Sequence, residues 1–158
     1  MYLAIEKGII MTKVEIYTDG SCSGNPGPGG YGAILVAGGK EKVISGGEAE
    51  TTNNRMELTA VILAFEALKY PCEVTLTSDS KYVLDGLRLG WAEGWRQRGW
   101  RKSDGKPALN PDLWERLLHA IEPHQVTYVW IKGHNGHAYN ERCDALAQSE
   151  TAKYAEKQ

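Results

Sequence analysis

Hydrophobic and polar residues alternate near the start of the chain with the period of two that is typical of β-strands. Residues 14–18 predict a first, half-buried strand. Residues 31–37 and 42–45 predict a second and part of a third, and the Gly38-Gly39 pair between them predicts a tight turn. Three strands in such short succession predict an antiparallel meander.

The pattern then changes to helical spacing. Residues 55–69 predict a helix, and residues 51–54 supply N-cap candidates for it. The apolar residues of this helix share one face, and one step backwards along that face lies Glu57. An acid on an inward face is costly unless it is paired or bound to a metal. The alternative is a capping box in which Asn54 caps the helix and Glu57 folds back on its start. The pattern leaves both interpretations open.

Two acids are predicted at the ends of strands. Residues 73–77 predict a compact fourth strand that runs out at Asp79, ahead of a helix through residues 82–84. Asp19 has the same placement after the first strand. Each has an ordinary alternative, because Asp79 can be the N-cap of the next helix and Asp19 can belong to a simple hairpin turn.

The last third of the chain completes the fold prediction. Asn110 followed by Pro111 predicts a helix start with an N-cap and a proline at the first helical position, and Pro123 ends this helix. Residues 126–132 predict a strand and residues 140–147 a final helix. Strand–helix–strand units usually pair in parallel with a right-handed connection. We therefore predict an α/β fold, a mixed five-stranded sheet of an antiparallel meander plus parallel strands, flanked by helices.

Length and composition narrow the class of protein. The chain has 158 residues, which predicts one domain, and its 42% hydrophobic content fits a globular protein rather than a disordered one. We expect residues 1–10 to be an N-terminal extension and residues 11–158 to be a single domain. No apolar run is long enough to span a membrane, so we expect no membrane association.

Charge and cysteine usage add two expectations. The formal net charge of -2 means that any surface attracting nucleic acid must be local. The three cysteines have no CxxC spacing, which argues against a zinc knuckle or a disulfide framework and for a reducing, cytoplasmic location.

One local basic segment is present, at residues 91–106. Its arginines and lysines outnumber its acids, and Trp91 and Trp95 lie one helical turn apart. Tryptophans among arginines suit base stacking and phosphate contact. The alternative is a core helix followed by a solvated, charged loop.

Four acids suggest a chemistry. Ligands of open α/β sheets gather beyond the carboxyl ends of parallel strands, where Asp19 and Asp79 are predicted. Glu57 and Asp144 lie on predicted helices that can face the same rim. Four ionised carboxylates cannot share a site without cations, and hard oxygen ligands suit magnesium or manganese rather than zinc. Two such ions, about 3.5–4 Å apart, would serve phosphodiester cleavage.

Between the first two predicted strands lies a turn rich in glycine and proline, residues 20–30. The glycines allow the backbone to approach something large, and the prolines restrict the loop. A carboxylate at a strand end beside such a loop is a candidate metal ligand that faces a phosphate backbone.

Six motifs, in order, resemble those of bacterial ribonuclease HI over residues 11 to about 149. They are Thr18-Asp19-Gly20-Ser21, the segment 24–32, Thr52-Asn53-Asn54-Arg55-Met56-Glu57-Leu58, Ser78-Asp79-Ser80, Trp130-x-Lys132-Gly133-His134-x-Gly136 and Asn140-Glu141-Arg142-Cys143-Asp144. The resemblance implies a ribonuclease H-like fold. It also implies an endoribonuclease that hydrolyses the RNA strand of RNA–DNA hybrids by two-metal-ion catalysis, largely independently of sequence, leaving 5′-phosphate and 3′-hydroxyl ends.

The resemblance also implies the cofactor and partners. We expect two Mg²⁺ ions per active site with substrate bound, with Mn²⁺ as a substitute. The partner is the RNA–DNA hybrid, and we expect a monomer. Whether single-stranded-DNA-binding or replication proteins bind the chain is not predicted.

Residue roles follow from the matched motifs. Asp19, Glu57, Asp79 and Asp144 match the metal ligands, and His134 matches a mobile histidine that moves protons or assists product release. The alternative for His134 is a loop histidine without function. The substrate-binding residues that the resemblance implies are Cys22, Gly24, Asn25, Thr52, Asn53, Asn54, Trp91, Trp95, Arg96, Arg98, Trp100, Lys102 and Asn110.

The sequence differs from the family in two places, and two other functions are alternatives. Glu50 stands where some relatives have an arginine near a DNA phosphate, and residues 85–90 are one residue longer than in close relatives. The rivals are a hybrid-binding module without catalysis and a DNA recombinase or resolvase of similar fold. The intact acids argue against the first rival, and the motif at residues 52–57 argues against the second.

Overall fold

The computed structural model describes residues 11–133 and 136–157. The predicted extension at residues 1–10 and the predicted histidine His134 lie outside the described residues. The elements in chain order are β1 (Thr12–Cys22), β2 (Gly27–Ala37), β3 (Lys40–Thr51), α1 (Asn53–Glu66), β4 (Cys72–Ser78), α2 (Lys81–Arg88), α3 (Trp91–Gln97), α4 (Pro111–Ile121), β5 (Gln125–Trp130) and α5 (Ala138–Glu156). Within the described ranges, no helix has both the length and the apolar character that crossing a membrane requires.

The strands form one sheet in the order β3-β2-β1-β4-β5. The first three strands are an antiparallel meander, whereas β4 pairs in parallel with β1 on one side and with β5 on the other. The predicted mixed five-stranded sheet is confirmed. This order puts β1 in the centre, where its residues can meet elements from both halves of the chain.

Helices cover both faces of the sheet. Ile16 lies in the main core with Leu58 of α1, whereas its neighbour Tyr17 lies in a second cluster with Cys143 of α5. Because successive strand residues point to opposite faces, α1 and α5 lie on opposite sides of β1. The acids carried by these two helices can therefore approach the same end of the strand.

The glycine-rich turn turns out to be mostly strand. The predicted end of the first strand before Asp19 is wrong, because β1 continues to Cys22 and Asp19 pairs with Gly32 of β2. The glycines serve close packing within the protein. A Cβ on Gly30 would lie 2.7 Å from the Thr151 nitrogen of α5. Asp19 still lies beyond the parallel ladder, whose last pair joins Tyr17 to Thr77.

Other predicted boundaries differ by a few residues. The helix predicted over residues 55–69 ends at Glu66, and the one predicted over 140–147 is the longer α5. The strand predicted over 126–132 ends at Trp130. The tight turn at Gly38 and Gly39 is confirmed, and both residues have positive φ angles (57° and 78°) that glycine adopts without strain.

Candidate active site

Three acids converge beyond the parallel ladder of the sheet. Each of Asp19, Glu57 and Asp79 offers one carboxylate oxygen, and these oxygens all lie within 4.8 Å of one another. Asp19 and Glu57 are only 5% exposed, and Asp79 is half-buried. The three residues come from β1, α1 and the segment after β4, so the fold itself concentrates their charge.

The start of α1 directs Glu57 inward. Thr52 is the N-cap, and its hydroxyl accepts a hydrogen bond from the Arg55 nitrogen at 3.2 Å. The alternative capping box with Asn54 is therefore wrong, because the N3 position that closes such a box is Arg55, and Glu57 lies two residues farther along the helix. Glu57 Oε1 is buried and has no hydrogen-bond partner among the described residues. Such a buried, unpaired oxygen needs a partner that the surrounding protein does not supply.

Two neighbouring elements hold Asp79. Ser80 is the N-cap of α2, with its hydroxyl accepting from the Val83 nitrogen at 3.3 Å, so the alternative that Asp79 caps this helix is wrong. The Trp130 indole nitrogen donates to the Asp79 backbone oxygen at 3.1 Å. On its other side, Asp79 Oδ2 lies so close to Gly133 that a Cβ there would be 2.8 Å away. The absence of a side chain at Gly133 thus leaves room for the Asp79 carboxylate.

Asp144 approaches the same cluster from α5. It is half-buried, and its charge is one of the causes that raise the pKa of Asp19, although it lies outside the group of three. The preceding residue, Cys143, donates from its thiol to the Tyr17 backbone oxygen at 3.3 Å. This contact ties the first turns of α5 to β1 beside Asp19.

Burial and mutual repulsion shift the acids in the same direction. Burial, followed by the charges of Asp79 and Asp144, raises the pKa of Asp19 from 3.8 to about 7, although the Gly20 N–H that donates to its Oδ1 at 2.9 Å opposes the shift. Burial, followed by the charges of Asp19 and Asp79, raises the pKa of Glu57 well above its usual value. The site therefore disfavours its own ionised form.

A hard divalent cation fits this arrangement. The donors are carboxylate oxygens, which Mg²⁺ and Mn²⁺ prefer, and the unpaired Glu57 Oε1 is a ready ligand atom. A cation would also remove the repulsion that raises the pKa values of Asp19 and Glu57.

The raised pKa values predict how stability depends on pH. Because Asp19 and Glu57 bind protons more tightly when folded, their protonated forms stabilise the fold at low pH. For Asp19 this stabilisation is lost as pH rises from about 4 through about 7. We expect magnesium to raise the melting temperature more above this window than below it. Scanning calorimetry in EDTA and in magnesium, at one pH below this window and one pH above it, measures this. Equal increases in melting temperature at the two pH values would contradict it.

The predicted substrate-binding residues of the turn and of the start of α1 adjoin one another. The Asn53 nitrogen donates to Asn25 Oδ1 at 3.1 Å, and the Cys22 thiol donates to the Thr51 backbone oxygen at 3.4 Å. Gly24, with a φ of 82°, lets the chain reverse within this turn. The turn and the helix start thus form one continuous edge beside the acids.

The tryptophans of the basic segment differ, because one is exposed as stacking on nucleic acid requires and two pack partly against the core. Trp91 is 49% exposed, whereas Trp95 and Trp100 pack partly against the core, Trp95 meeting the buried Trp114 edge-on at 5.8 Å. A groove of about 440 Å³ runs through this segment. Its lining is Gly90, Trp91, Gly94, Trp95, Arg98, Lys102, Ser103 and Asp104.

The arginines of this segment differ in how their charge is used. Arg96 forms ion pairs with Glu93 at 2.6 Å and with Glu115 at 3.2 Å. Arg98 donates to the Arg101 backbone oxygen, and neither Arg98 nor Lys102 has an ion pair in the described part of the chain. The charges available to a phosphate backbone are therefore those of Arg98 and Lys102 more than that of Arg96.

Asn110 does not cap its helix in the predicted way. It has the N-cap position of α4, ahead of Pro111, but its backbone is left-handed (φ 56°) and its side chain makes no capping hydrogen bond. Its Oδ1 accepts from Arg55 Nη1 at 3.2 Å, and its Nδ2 donates to the Tyr82 hydroxyl at 3.1 Å. The side chain is thus held by two other helices.

Sequence reasoning missed three residues that shape the site. Gly20 and Gly133 matter because they have no side chain. A signal for both was present, since each glycine belongs to one of the six matched motifs. Tyr82 is a helical aromatic residue with no local signal, and only the fold brings its hydroxyl to Asn110.

The fold and the acid cluster together define an α/β protein with a carboxylate centre suited to hard divalent cations. Comparison with known proteins makes this specific. The family model described as RNase H matches residues 11–152. A ribonuclease H of Chelativorans sp. (strain BNC1) is 57% identical over 147 residues, covering 93% of this chain and 90% of the relative. A ribonuclease H of Novosphingobium aromaticivorans is 59% identical over 137 residues, covering 87% and 95%.

Solved structures agree with this. LC9-RNase H1, a type 1 RNase H with the type 2 active-site motif, is 35% identical with a TM-score of 0.81, over 91% of this chain and 74% of that one. LC11-RNase H1 in complex with an RNA/DNA hybrid is 26% identical with a TM-score of 0.67, over 89% and 97%. The chain belongs to the ribonuclease H family, and the resemblance inferred from its motifs is confirmed.

Proposed function

We propose that the protein hydrolyses the RNA strand of RNA–DNA hybrids, with divalent ions held by Asp19, Glu57, Asp79 and Asp144. The observation that carries this proposal is the cluster of buried acids, in which Glu57 Oε1 has no protein partner among the described residues. Family membership supports the ribonuclease activity, and the relative LC11-RNase H1 has been solved with an RNA/DNA hybrid. Mg²⁺ is the proposed ion, with Mn²⁺ as a substitute.

The acids and their neighbours have separate tasks. When bound, divalent ions lower the pKa of water and neutralise charge on a leaving oxygen. Asp19, buried beside Glu57 and Asp79, supplies negative charge for cation binding, and the Gly20 N–H donates to its carboxylate. Trp130 holds the Asp79 backbone, and Gly133 leaves room for the Asp79 carboxylate. Hydrolysis itself adds a water oxygen to phosphorus and breaks the bond to the 3′ oxygen, which leaves 5′-phosphate and 3′-hydroxyl ends.

The edge formed by the turn and the start of α1, beside the acids, would distinguish the RNA strand from the DNA strand. The 2′-hydroxyl is what distinguishes RNA from DNA at a given position. Glu57 can accept a hydrogen bond from it, and the turn from Cys22 to Asn25 offers backbone groups to neighbouring riboses. These contacts do not read base sequence, so we propose cleavage that is largely independent of sequence.

The basic segment would hold the DNA strand. Trp91 can stack on the nucleic acid, and Arg98 and Lys102 contribute charges that no described acid neutralises. The double variant Arg98→Ala with Lys102→Ala is expected to raise KM about tenfold and to reduce the salt dependence of binding by about two counterions. Its kcat should stay within a few-fold, because the loss affects ground state and transition state alike. Steady-state kinetics at several salt concentrations measure this.

The matched control removes two positive charges elsewhere. Lys13→Ala with Lys153→Ala changes the net charge equally on the start of β1 and the distal half of α5. An equal rise in KM in this control would mean that overall charge, rather than the basic segment, governs binding. A large decrease of kcat in the Arg98 and Lys102 variant would contradict a role confined to substrate binding.

Other parts of the proposal concern the molecule as a whole. We infer that it acts as a monomer in the cytoplasm, and that residues 1–10 are not needed for cleavage. The free cysteines Cys22, Cys72 and Cys143 are compatible with a reducing compartment.

A panel of substrates tests the proposed function against its rivals. The protein is incubated with an RNA–DNA hybrid, double-stranded RNA and duplex DNA, each with magnesium or with EDTA. We expect cleavage of the RNA strand in the hybrid alone, and with magnesium alone. Hybrid binding without any cleavage would favour a binding module, and cleavage of DNA would favour a recombinase or resolvase.

A further inference from the structure

A chain of hydrogen bonds connects α1, α2 and α4 at the N-terminal end of α4. Arg55 of α1 donates to Asn110 Oδ1 at 3.2 Å, and Asn110 Nδ2 donates to the Tyr82 hydroxyl at 3.1 Å. The same hydroxyl accepts from the indole nitrogen of Trp114, which is fully buried, at 2.9 Å. Arg55 is itself held by Asp112 through two hydrogen bonds, at 3.1 and 2.8 Å.

The donors at its two ends, Arg55 and Trp114, allow only one arrangement of the hydrogen bonds between them. A guanidinium can only donate, so the atom of Asn110 that faces Arg55 must be the oxygen. The indole of Trp114 can also only donate, so the Tyr82 oxygen must accept from it. The Asn110 nitrogen then lies toward Tyr82, and reversing the amide would place two donors face to face at Arg55.

This arrangement leaves hydrogen-bond donors available on the Asn110 amide and the Tyr82 hydroxyl. One N–H of Asn110 Nδ2 is used by Tyr82, and the second N–H remains. The Tyr82 oxygen already accepts two hydrogen bonds, so the hydroxyl can interact with a further group only by donating its proton. An unheld asparagine could present either its oxygen or its nitrogen to a ligand, whereas this one presents its nitrogen.

We propose that Tyr82 is a positioning residue, which fixes the amide of Asn110 so that it donates to an acceptor oxygen of the bound nucleic acid. The proposal rests on the proposed function and extends it, since it assigns a task to a residue outside the acids, the turn and the basic segment. Asn110 is suited to this task because its side chain makes no helix-capping bond and is held by Arg55 and Tyr82 instead.

A double-mutant cycle tests the proposal. KM for the hybrid is measured for Tyr82→Phe, Asn110→Ala and the double variant. We expect each single change to raise KM about five- to tenfold, with kcat within twofold, because a misdirected amide loses binding rather than transition-state contact. The double variant should have the KM of Asn110→Ala alone. Multiplicative effects, or an unchanged KM in Tyr82→Phe, would overturn the proposal.

Tyr128→Phe is the matched control. Tyr128 is a half-buried tyrosine of β5 whose hydroxyl has no hydrogen-bond partner within the described ranges, and we expect its KM to equal that of the unmodified protein. A rise in KM equal to that of Tyr82→Phe would indicate a general cost of removing a tyrosine hydroxyl and would overturn the positioning role.

A second measurement does not depend on activity. In ¹H–¹⁵N spectra, the two side-chain protons of Asn110 should be well separated in the unmodified protein and should move together in Tyr82→Phe. Unchanged Asn110 signals in that variant would overturn the positioning role. An unmodified protein that neither binds nor cleaves the hybrid would overturn the proposed function instead, so the two failures are distinguishable.

Discussion

Replacing Asp19 by asparagine is expected to lower kcat on the RNA–DNA hybrid by at least about 1,000-fold, or about 4 kcal/mol of transition-state stabilisation. The change keeps the shape of the side chain and removes the charge beside Glu57 and Asp79 on which cation binding depends. Hybrid binding in EDTA, followed by fluorescence anisotropy, should stay within a few-fold. The melting temperature at neutral pH should rise, because Asp19 is one of the two acids whose ionisation the fold disfavours.

Asp85→Asn is the matched control for this prediction. The Asp85 carboxylate forms an ion pair with Arg88 on the surface of α2, and the same chemical change there should leave kcat unaltered. Near-normal cleavage by Asp19→Asn at saturating magnesium would refute its role as a metal ligand. Loss of hybrid binding together with cleavage would point to a structural role for the carboxylate.

Replacing Gly20 by alanine is expected to lower kcat about 100-fold although no charged group is removed. A Cβ at this position would lie 2.6 Å from the Glu57 nitrogen and 2.8 Å from the Met56 carbonyl carbon, so β1 and α1 must separate. That movement pulls Glu57 away from Asp19, and displacements of about 1 Å cost about 100-fold in well-aligned sites. Overpacking of this kind also destabilises a fold by about 1–3 kcal/mol. Kinetics and thermal unfolding of the same sample measure both effects.

A second crowded glycine, Gly47, lies far from the acids and is the control for this prediction. It separates a loss of stability from a loss of alignment between the acids. At Gly47 of β3, a Cβ would crowd the Gly29 backbone oxygen and would lie 2.8 Å from the Tyr154 ring of α5. Gly47→Ala should therefore lose similar stability while its kcat stays near normal. If both glycine variants lost kcat equally, reduced stability would explain the effect, and the alignment of Glu57 with Asp19 would not.

Much of the fold was predictable because burial imposes a period on the sequence. The alternation in β1 and β4 and the helical spacing of α1 reflect which side chains face the core. The predicted bounds of β4 and α1 lie within three residues of the observed ones, whereas β1 extends four residues beyond its predicted end. The failures occur where glycine dominates. Residues 20–30 have no side-chain pattern to read, because α1 and α5 approach the backbone there, so strand was interpreted as turn.

The candidate site was predictable to a different degree. Glu57 was conspicuous as an acid on an apolar helix face, and the strand order explains why it meets Asp19 and Asp79. The choice between metal ligand and capping box needed the observed cap at Thr52. The contact between Tyr82 and Asn110 joins residues 28 positions apart through the packing of α2 against α4, and no local pattern encodes it.

The end groups of the cut RNA test the central claim most directly. A hybrid with labelled RNA is digested with magnesium, and a parallel sample contains EDTA. If the acids hold cations that promote attack by water, every new end should carry a 5′-phosphate or a 3′-hydroxyl, and the EDTA sample should contain intact RNA. Products ending in a 2′,3′-cyclic phosphate would show attack by the ribose 2′-hydroxyl, and equal cleavage in EDTA would show that no cation is needed. Either result would contradict the account.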